Sequence, residues 1–345
     1  MFRQLIRTFF WRPAGTVPSP ADLPASKNLL SKCEVSAAIN GQANPEHPLI
    51  VAELAGGKVI GDLRLAATCE DIVIGSIQTV AGSNDLPNHY ALHRRRFRIP
   101  KYRRGKALLL GEAASDNYYH WMVESLPRWK MVLAANHLEY DFVLLHSKPS
   151  NFQDEMLDRL KVPPEKRLRC SKNFIHQFDR LVVPSAPAPQ WQPPEWAREW
   201  IRSLFPKAAG GPEKIYVTRR DARRRKLANE LELEASLRSL GFVIVQPEKL
   251  TVTEQARFFG SAKCIVAPHG AALSNLIFAP AGSLLVELFH PDILVPVYKN
   301  LAGTCQLRYR PLIGQRTNDP PLTDEDGTKF KIDVSAVLQI LAEHG

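Results

Sequence analysis

Cys264-Ile265-Val266-Ala267-Pro268-His269-Gly270-Ala271-Ala272-Leu273-Ser274-Asn275 is the stretch on which the reading of the fold turns. Cys264 to Ala267 is a short apolar run of the kind that forms a buried strand, and it stops at Pro268. Small residues follow and open a second apolar stretch, Leu273 to Phe278, read as a helix. The unit is strand, turn, helix, with His269 and Gly270 at the turn. Such a turn aims free backbone N–H groups and the positive end of a helix dipole into a crevice where a phosphate binds. The next strand, Ser283 to Phe289, carries Glu287 inside an apolar run; a carboxylate there needs a partner, and a sugar hydroxyl is one. A single glycine is neither the GxGxxG of dinucleotide folds nor the GxxxxGK[ST] of P-loops, so neither a standard NAD site nor a Walker site is expected.

Working outward, the same alternation recurs. Lys214 to Val217 reads as a strand, Asn229 to Leu240 as a helix closed by Gly241, and Phe242 to Val245 as a strand. Thr251-x-x-Glu254 is a capping box that opens a helix to Gly260, and Ile332 to Glu343 is a terminal helix. Upstream, Ala107 to Leu110, Phe142 to Leu145 and Arg180 to Val183 read as strands, with helices at Tyr118 to Ala135 and Asn151 to Leu160. Pro127 is expected to kink or end the first of these. Strands alternating with helices argue for a largely parallel sheet. From Val35 to Val80, short apolar runs joined by glycine turns predict a small antiparallel β layer near the N-terminus.

Pro184 to Pro194 is the clearest break, because a proline-rich run cannot pair within a sheet. The predicted organisation is a basic, proline-rich segment over 1–30, an α/β domain over 31–184, a linker over 185–194 and a second α/β domain over 195–345. The second domain opens on an amphipathic helix, Glu195 to Phe205, with Trp196 and Trp200 one turn apart. Two α/β domains around a cleft, with ligand at the carboxyl ends of the strands, is the architecture this predicts.

The 345 residues carry 45 Lys and Arg against 35 Asp and Glu, a net charge of +10, which points to anionic partners. Five widely spaced cysteines, Cys33, Cys69, Cys170, Cys264 and Cys305, form no CxxC pair, so reduced thiols in a cytoplasmic setting are expected. There is no Asn-x-Ser/Thr sequon and no apolar run of membrane-spanning length. Met1 to Arg12 mixes Phe2, Leu5, Ile6, Phe9, Phe10 and Trp11 with three arginines. It reads either as a terminus docked on the body or as a basic amphipathic helix lying on an anionic membrane.

Three clusters bear on chemistry. In Asn117-Tyr-Tyr-His-Trp-Met-Val-Glu-Ser-Leu-Pro-Arg128, His120 and Glu124 are four apart and share a helix face. They form either an acid/base pair or an ordinary helical hydrogen bond. Tyr216-Val-Thr-Arg-Arg-Asp-Ala-Arg-Arg-Arg-Lys226 leaves a strand end with Arg219, Arg220 and Arg223 to Lys226, which either clamp a diphosphate or form a solvated loop. The third is His269-Gly270. Asn229-Glu230 reads as a helix cap. Asp324-Glu325-Asp326 spells a DxD in a charged loop, where a divalent cation is a minor expectation. His89 and His93 precede the run Arg94, Arg95, Arg96 and Arg98, and read as structural.

Together, Asn117-Tyr-Tyr-His-Trp-x-x-Glu-x-Leu-Pro-Arg128, Ile215-Tyr-Val-Thr-Arg-Arg220 leading to Asn229-Glu230, and His269-Gly-Ala-Ala-Leu-Ser-Asn275 with Phe278 and Val286-Glu-Leu288 resemble glycosyltransferase family 61, in its bacterial branch linked to capsular and exopolysaccharide synthesis. The resemblance runs from about Gly111 to Pro291. It implies a GT-B type fold, two Rossmann-like domains facing across a cleft, and transfer of a sugar from a nucleotide-sugar donor with inversion and without cofactor or metal. Carried onto this sequence, Arg219, Arg225, His269 and Gly270 face the donor phosphates, Asn275 supports the turn, and Glu287 takes a ribose or sugar hydroxyl. Glu124 is the expected base, with His120 orienting or replacing it and Asp116 in reserve. Asn117, Tyr119 and Trp121 are expected on the acceptor side.

The resemblance further implies a glycan or lipid-linked acceptor and a cytoplasmic enzyme at the inner membrane face. The alternatives are a nucleic-acid-binding protein using the arginine runs, for which no helix-turn-helix, zinc-finger or RNP1-like pattern is present, and a sugar-nucleotide-binding protein without turnover.

Overall fold

The computed structural model describes residues 15–17, 22–23, 26, 28–40, 48–61, 65–74, 100–188, 191–206, 210–220, 222, 225–317 and 329–344. The N-terminal segment 1–12, Arg94, Arg95, Arg96 and Arg98, His89 and His93, Arg223 and Arg224, and Asp324 to Asp326 lie outside the described residues. The chain divides into two compact units, Met1–Gln190 and Trp191–Gly345.

The first unit is built on β1 (Gly15–Val17), β2 (Leu29–Glu34), α1 (Ser36–Asn40), β3 (Ile50–Ala55), β4 (Lys58–Ile60), β5 (Leu65–Ala67), β6 (Ile72–Ile74), β7 (Lys101–Leu109), α2 (Pro127–Ala134), β8 (Phe142–Leu145), α3 (Asn151–Arg159), β9 (Arg167–Arg169) and β10 (Ile175–Pro184). The expected antiparallel layer is not a separate one. Its strands join the α/β strands in a single mixed sheet of ten described strands, and β10 is the seam. β10 runs antiparallel to β3 and β4 along one edge and parallel to β7 along the other. Phe178 and Leu181 on β10 are fully buried and belong to the same core cluster as Leu54, Val59 and Leu109. A ten-residue strand buried toward both ends, with only Asp179 and Arg180 exposed, suits that central place. β7, β8 and β9 continue the sheet in parallel. The chain leaves β7 toward β8 while β10 flanks its other side, so the carboxyl end of β7 is a topological switch point.

The helix expected over Tyr118 to Ala135 is two pieces. His120–Ser125 is a wide π-type turn, in which the Leu126 N–H donates to the Trp121 carbonyl at 2.8 Å, five residues back. Pro127 then opens α2 at its first position, where the missing N–H costs nothing. The proline separates the pieces without diverting the chain.

The second unit holds α4 (Glu195–Ser203), β11 (Lys214–Val217), α5 (Glu230–Ser239), β12 (Val243–Val245), α6 (Val252–Ser261), β13 (Cys264–Pro268), β14 (Leu284–Phe289), α7 (Val297–Thr304), β15 (Arg308–Ile313), β16 (Gln315–Arg316), β17 (Phe330–Lys331) and α8 (Val334–His344). Five parallel strands lie in the order β12-β11-β13-β14-β15. β13 and β14 are buried at every position, as their largely apolar runs predict, Glu287 included. The chain goes from β11 out to β12 and returns past β11 to β13, which places the switch point between the ends of β11 and β13. The segment after Gly270 is a 3₁₀ helix over Ala271–Phe278. The Thr251–Glu254 capping box is formed on α6. In α4 the buried residues are Ala197 and Ile201, and both tryptophans are partly exposed. α7 and β15 were missing from the sequence reading.

Candidate active site

Each unit gathers a histidine–carboxylate pair where its sheet switches direction. In the first unit, β7 delivers Gly111 and Glu112 to the end of the strand. The loop that follows is anchored by Ser115, whose hydroxyl donates to the Glu112 carbonyl at 2.7 Å and whose own carbonyl accepts from Gln153 at 2.6 Å. Asn117 accepts the Tyr119 N–H on its side-chain oxygen at 2.9 Å, which turns the chain into the π-type turn. That turn sets His120 Nδ1 at 2.6 Å from Glu124 Oε2 and 3.7 Å from Glu112 Oε1. Glu112 is fully buried, the Glu124 side chain is 6 % exposed and the His120 side chain 22 %. The imidazole is therefore the outer member of the pair and the carboxylates stand behind it.

Burial pushes the His120 pKa down, but the hydrogen bond and charge of Glu124, with the charges of Glu112 and Asp116, outweigh it, and the net shift is upward. Asp116 is ion-paired with Lys148 at 2.8 Å. Arg128, from the first turn of α2, is fully buried and donates to the carbonyls of Leu110 and Gly111 at 3.4 and 3.3 Å.

Glu112, His120 and Glu124 could offer three ligand atoms within 4.8 Å of one another to a metal ion. Donors 2.0–2.1 Å from an octahedral ion stand about 3 Å apart. The 2.6 Å contact is a hydrogen bond carrying a proton, and buried Arg128 adds positive charge beside it. The set fits a proton better than a cation. Of the acceptor-side candidates, Trp121 is fully buried and Tyr119 nearly so; both pack as core, and Asn117 is exposed.

In the second unit, Arg219 follows β11 and His269-Gly270 follows β13. Glu230, expected only to cap α5, is a buried hub: its Oε1 accepts from the Tyr216 hydroxyl at 2.9 Å, the Thr218 hydroxyl at 2.8 Å and the Arg219 N–H at 2.9 Å. Asn229 pairs instead with the backbone of Ile332. Arg219 reaches across and donates through Nη1 to the His269 carbonyl. His269 Nδ1 lies 2.6 Å from Glu287 Oε1, and the ring stacks on Phe289 at 5.3 Å.

The other oxygen of Glu287 accepts from the Tyr309 hydroxyl at 2.7 Å. Glu287 is fully buried, so both oxygens are engaged within the protein and it orients His269. Among the described residues no hydrogen bond engages His269 Nε2, which leaves that ring atom for a ligand. Asn275 is fully buried and donates to Gln255 Oε1 at 2.6 Å and to the Ala272 carbonyl at 3.0 Å, which ties the 3₁₀ helix to α6. The charges of Arg219 and Arg225 both act on Tyr298, beside Glu287. Burial and the Glu287 charge raise the Tyr298 phenol well above its usual value, so it stays protonated.

Residues 118–286 match the family model described as Glycosyltransferase 61. That segment holds His120, Glu124, Arg128, Arg219, Arg225, His269, Gly270 and Asn275, while Glu112 and Glu287 flank it on either side. The chain is also similar to protein O-linked-mannose beta-1,4-N-acetylglucosaminyltransferase 2 of Mus musculus, 31% identical over 146 residues that cover 40% of this chain and 22% of that protein. The Homo sapiens protein of the same name is 30% identical over the same length and coverage. The match spans about a fifth of these relatives' length.

Glu112, Tyr298 and Tyr309 were missed in the sequence, and Glu230 was read only as a cap. Glu112 left one signal: a carboxylate directly after the apolar run Ala107 to Leu110.

Proposed function

We propose that this protein is an inverting glycosyltransferase that moves a sugar from a nucleotide-sugar donor to a hydroxyl of a glycan or lipid-linked acceptor, with the division of labour of GT-B type enzymes. The second unit binds the donor and the first supplies the base. The observation that carries this reading is the pair of histidine–carboxylate sites at the switch points of two sheets, with both histidines inside the segment that matches the glycosyltransferase family. The relatives' name specifies a β linkage, and a β linkage made from an α-linked nucleotide sugar is an inversion.

In the proposed step, His120 Nε2 takes the proton of the acceptor hydroxyl while that oxygen attacks the anomeric carbon. Glu124 stands behind the imidazole and stabilises the imidazolium through their hydrogen bond. The order of exposure supports His120 as base and Glu124 as its orienting partner. The bond from the anomeric carbon to the diphosphate breaks as the new one forms, through an oxocarbenium-like state. The departing diphosphate keeps the electron pair. Its charge is met by Arg219 and Arg225, cationic groups that act where negative charge develops, beside the His269 ring. A metal ion is not part of the proposed step.

The proposed setting is surface-polysaccharide synthesis at the cytoplasmic face of a membrane. The resemblance supports that setting, and the net charge of +10 supports contact with anionic lipid. None of the described helices is long and apolar enough to cross a membrane.

The test is a thermal-shift panel of UDP-, GDP-, CMP- and dTDP-sugars with and without EDTA, followed by turnover with the stabilising donor. One nucleotide is expected to raise Tm regardless of EDTA, and Arg219→Ala to abolish the rise. A shift that EDTA removes overturns the metal-free step, and no shift at millimolar donor overturns the donor assignment.

A further inference from the structure

Two buried groups, Glu112 beside His120 and Arg128 on the carbonyls leading to Glu112, have no role in that scheme. Glu112 is fully enclosed, with Oε1 3.7 Å from His120 Nδ1, on the same nitrogen that Glu124 already holds at 2.6 Å. An imidazole placed against two buried carboxylates holds its proton tightly, because giving it up leaves two negative charges facing each other in a solvent-excluded place, and a ring already protonated cannot take the acceptor's proton. Arg128 is the compensating charge. It is fully buried, acts on both Glu112 and Glu124, and is fixed by the carbonyls of Leu110 and Gly111, the two residues that lead into Glu112. The remaining charge facing His120 is Asp116, which is paired with Lys148.

With His120 protonated, Arg128 and the two carboxylates make a neutral set; with His120 neutral, the set carries a single negative charge. Without Arg128 that charge would double.

We propose that Arg128 and Glu112 form a buried counter-charge pair that sets how readily His120 releases its proton, which makes Arg128 the positioning residue that allows the imidazole to act as a base. The inference rests on His120 being the base, but its first readout does not. Glu112 and Arg128 work in opposite directions. Glu112 raises the proton affinity of His120, whereas Arg128, acting on the two carboxylates, is expected to lower it, and a residue that merely filled space would do neither.

The experiment is a histidine NMR titration of the full chain without substrate, the His120 signal being assigned by its loss in His120→Gln, paired with kcat/KM against pH. In Glu112→Gln the His120 titration is expected to move to lower pH, and the acidic limb of the rate profile with it. In Arg128→Met both are expected to move to higher pH. The loss of kcat/KM at about pH 6 is expected to be roughly tenfold, as a titration midpoint raised by about one on the pH scale gives, and to recover in alkaline buffer. Arg128→Lys keeps the charge and is expected to titrate near wild type, and the Glu112→Gln/Arg128→Met double variant is expected to return toward it.

If Arg128→Met does not fold, Glu112→Gln and Arg128→Lys carry the test. An unmoved His120 titration in Glu112→Gln overturns the proposal, as does a move in Arg128→Lys as large as in Arg128→Met. If the titration moves as stated and the rate profile does not follow, the counter-charge pair stands and His120 is not the base.

Discussion

The Arg219 guanidinium occupies the space in which a side chain at Gly270 would stand, and from there it donates to the His269 carbonyl. Gly270 has extended backbone, φ 177°, which any residue adopts, so the need for glycine here is one of space. Gly270→Ala is therefore expected to push Arg219 off the His269 carbonyl while leaving the chain direction intact. Overpacking of this kind costs about 1–3 kcal/mol. The stabilisation given by donor nucleotide in a thermal shift should fall by the same amount in Gly270→Ala and Arg219→Ala, and the double variant should be no worse than either single one. Additive losses would show that the two residues act separately.

Glu287 is held from both sides, by His269 at 2.6 Å and Tyr309 at 2.7 Å. Tyr309→Phe removes one donor and leaves a fully buried carboxylate oxygen without it, which costs roughly 1–3 kcal/mol. Glu287→Gln keeps the shape but replaces the carboxylate that orients the His269 ring with a neutral amide. The expectation is that Tyr309→Phe lowers Tm with a modest change in rate. Glu287→Gln should lower kcat by about tenfold or more with a smaller change in Tm. The reverse order would assign the orienting role to Tyr309.

Parts of this arrangement were legible in the sequence because they depend on local pattern. The buried strands around His269 and Glu287, the capping box at Thr251 and the i,i+4 meeting of His120 with Glu124 all follow from neighbours a few residues apart. What was not legible depends on pairing across long separations. β10 fuses the antiparallel strands to the α/β strands through partners at Ala52 and Ala107, and no local pattern marks a strand as a seam. Glu230 looks like any first-turn carboxylate until β11 brings Tyr216, Thr218 and Arg219 to it. Tyr309 lies on β15, whose alternation of exposed arginines with half-buried residues hides a strand.

His176 on β10 gives a pH-dependent stability distinct from the chemistry. Burial, with the charges of Arg103 and Lys101, pulls its pKa from 6.5 to about 4. Its Nε2 accepts the Ser171 N–H at 3.2 Å, which requires the unprotonated nitrogen. The folded pKa is depressed, so the folded state favours the neutral ring. The stability is fully present above the unfolded value of 6.5 and is lost as pH falls toward about 4, a change on the order of 3 kcal/mol. Thermal melts between these pH values should show a fall in Tm that is much smaller in His176→Gln. Equal falls in both proteins would assign the acid sensitivity to other groups.

Glu230 connects fold to function, because one oxygen accepts the Arg219 N–H together with two hydroxyls beneath it. Glu230→Ala leaves three donors without their acceptor in a buried place, and two or more such losses sum to roughly 3 kcal/mol or more. Glu230→Gln keeps an acceptor oxygen, so most of that stability should remain. Both variants should loosen Arg219, since the charge-assisted bonds are the strong ones and each variant removes the charge. Donor-induced thermal shifts are therefore expected to weaken in Glu230→Gln even where Tm without ligand stays close to wild type. If Glu230→Gln binds donor as wild type does, the hub serves stability alone and Arg219 is held in place by its contact across Gly270.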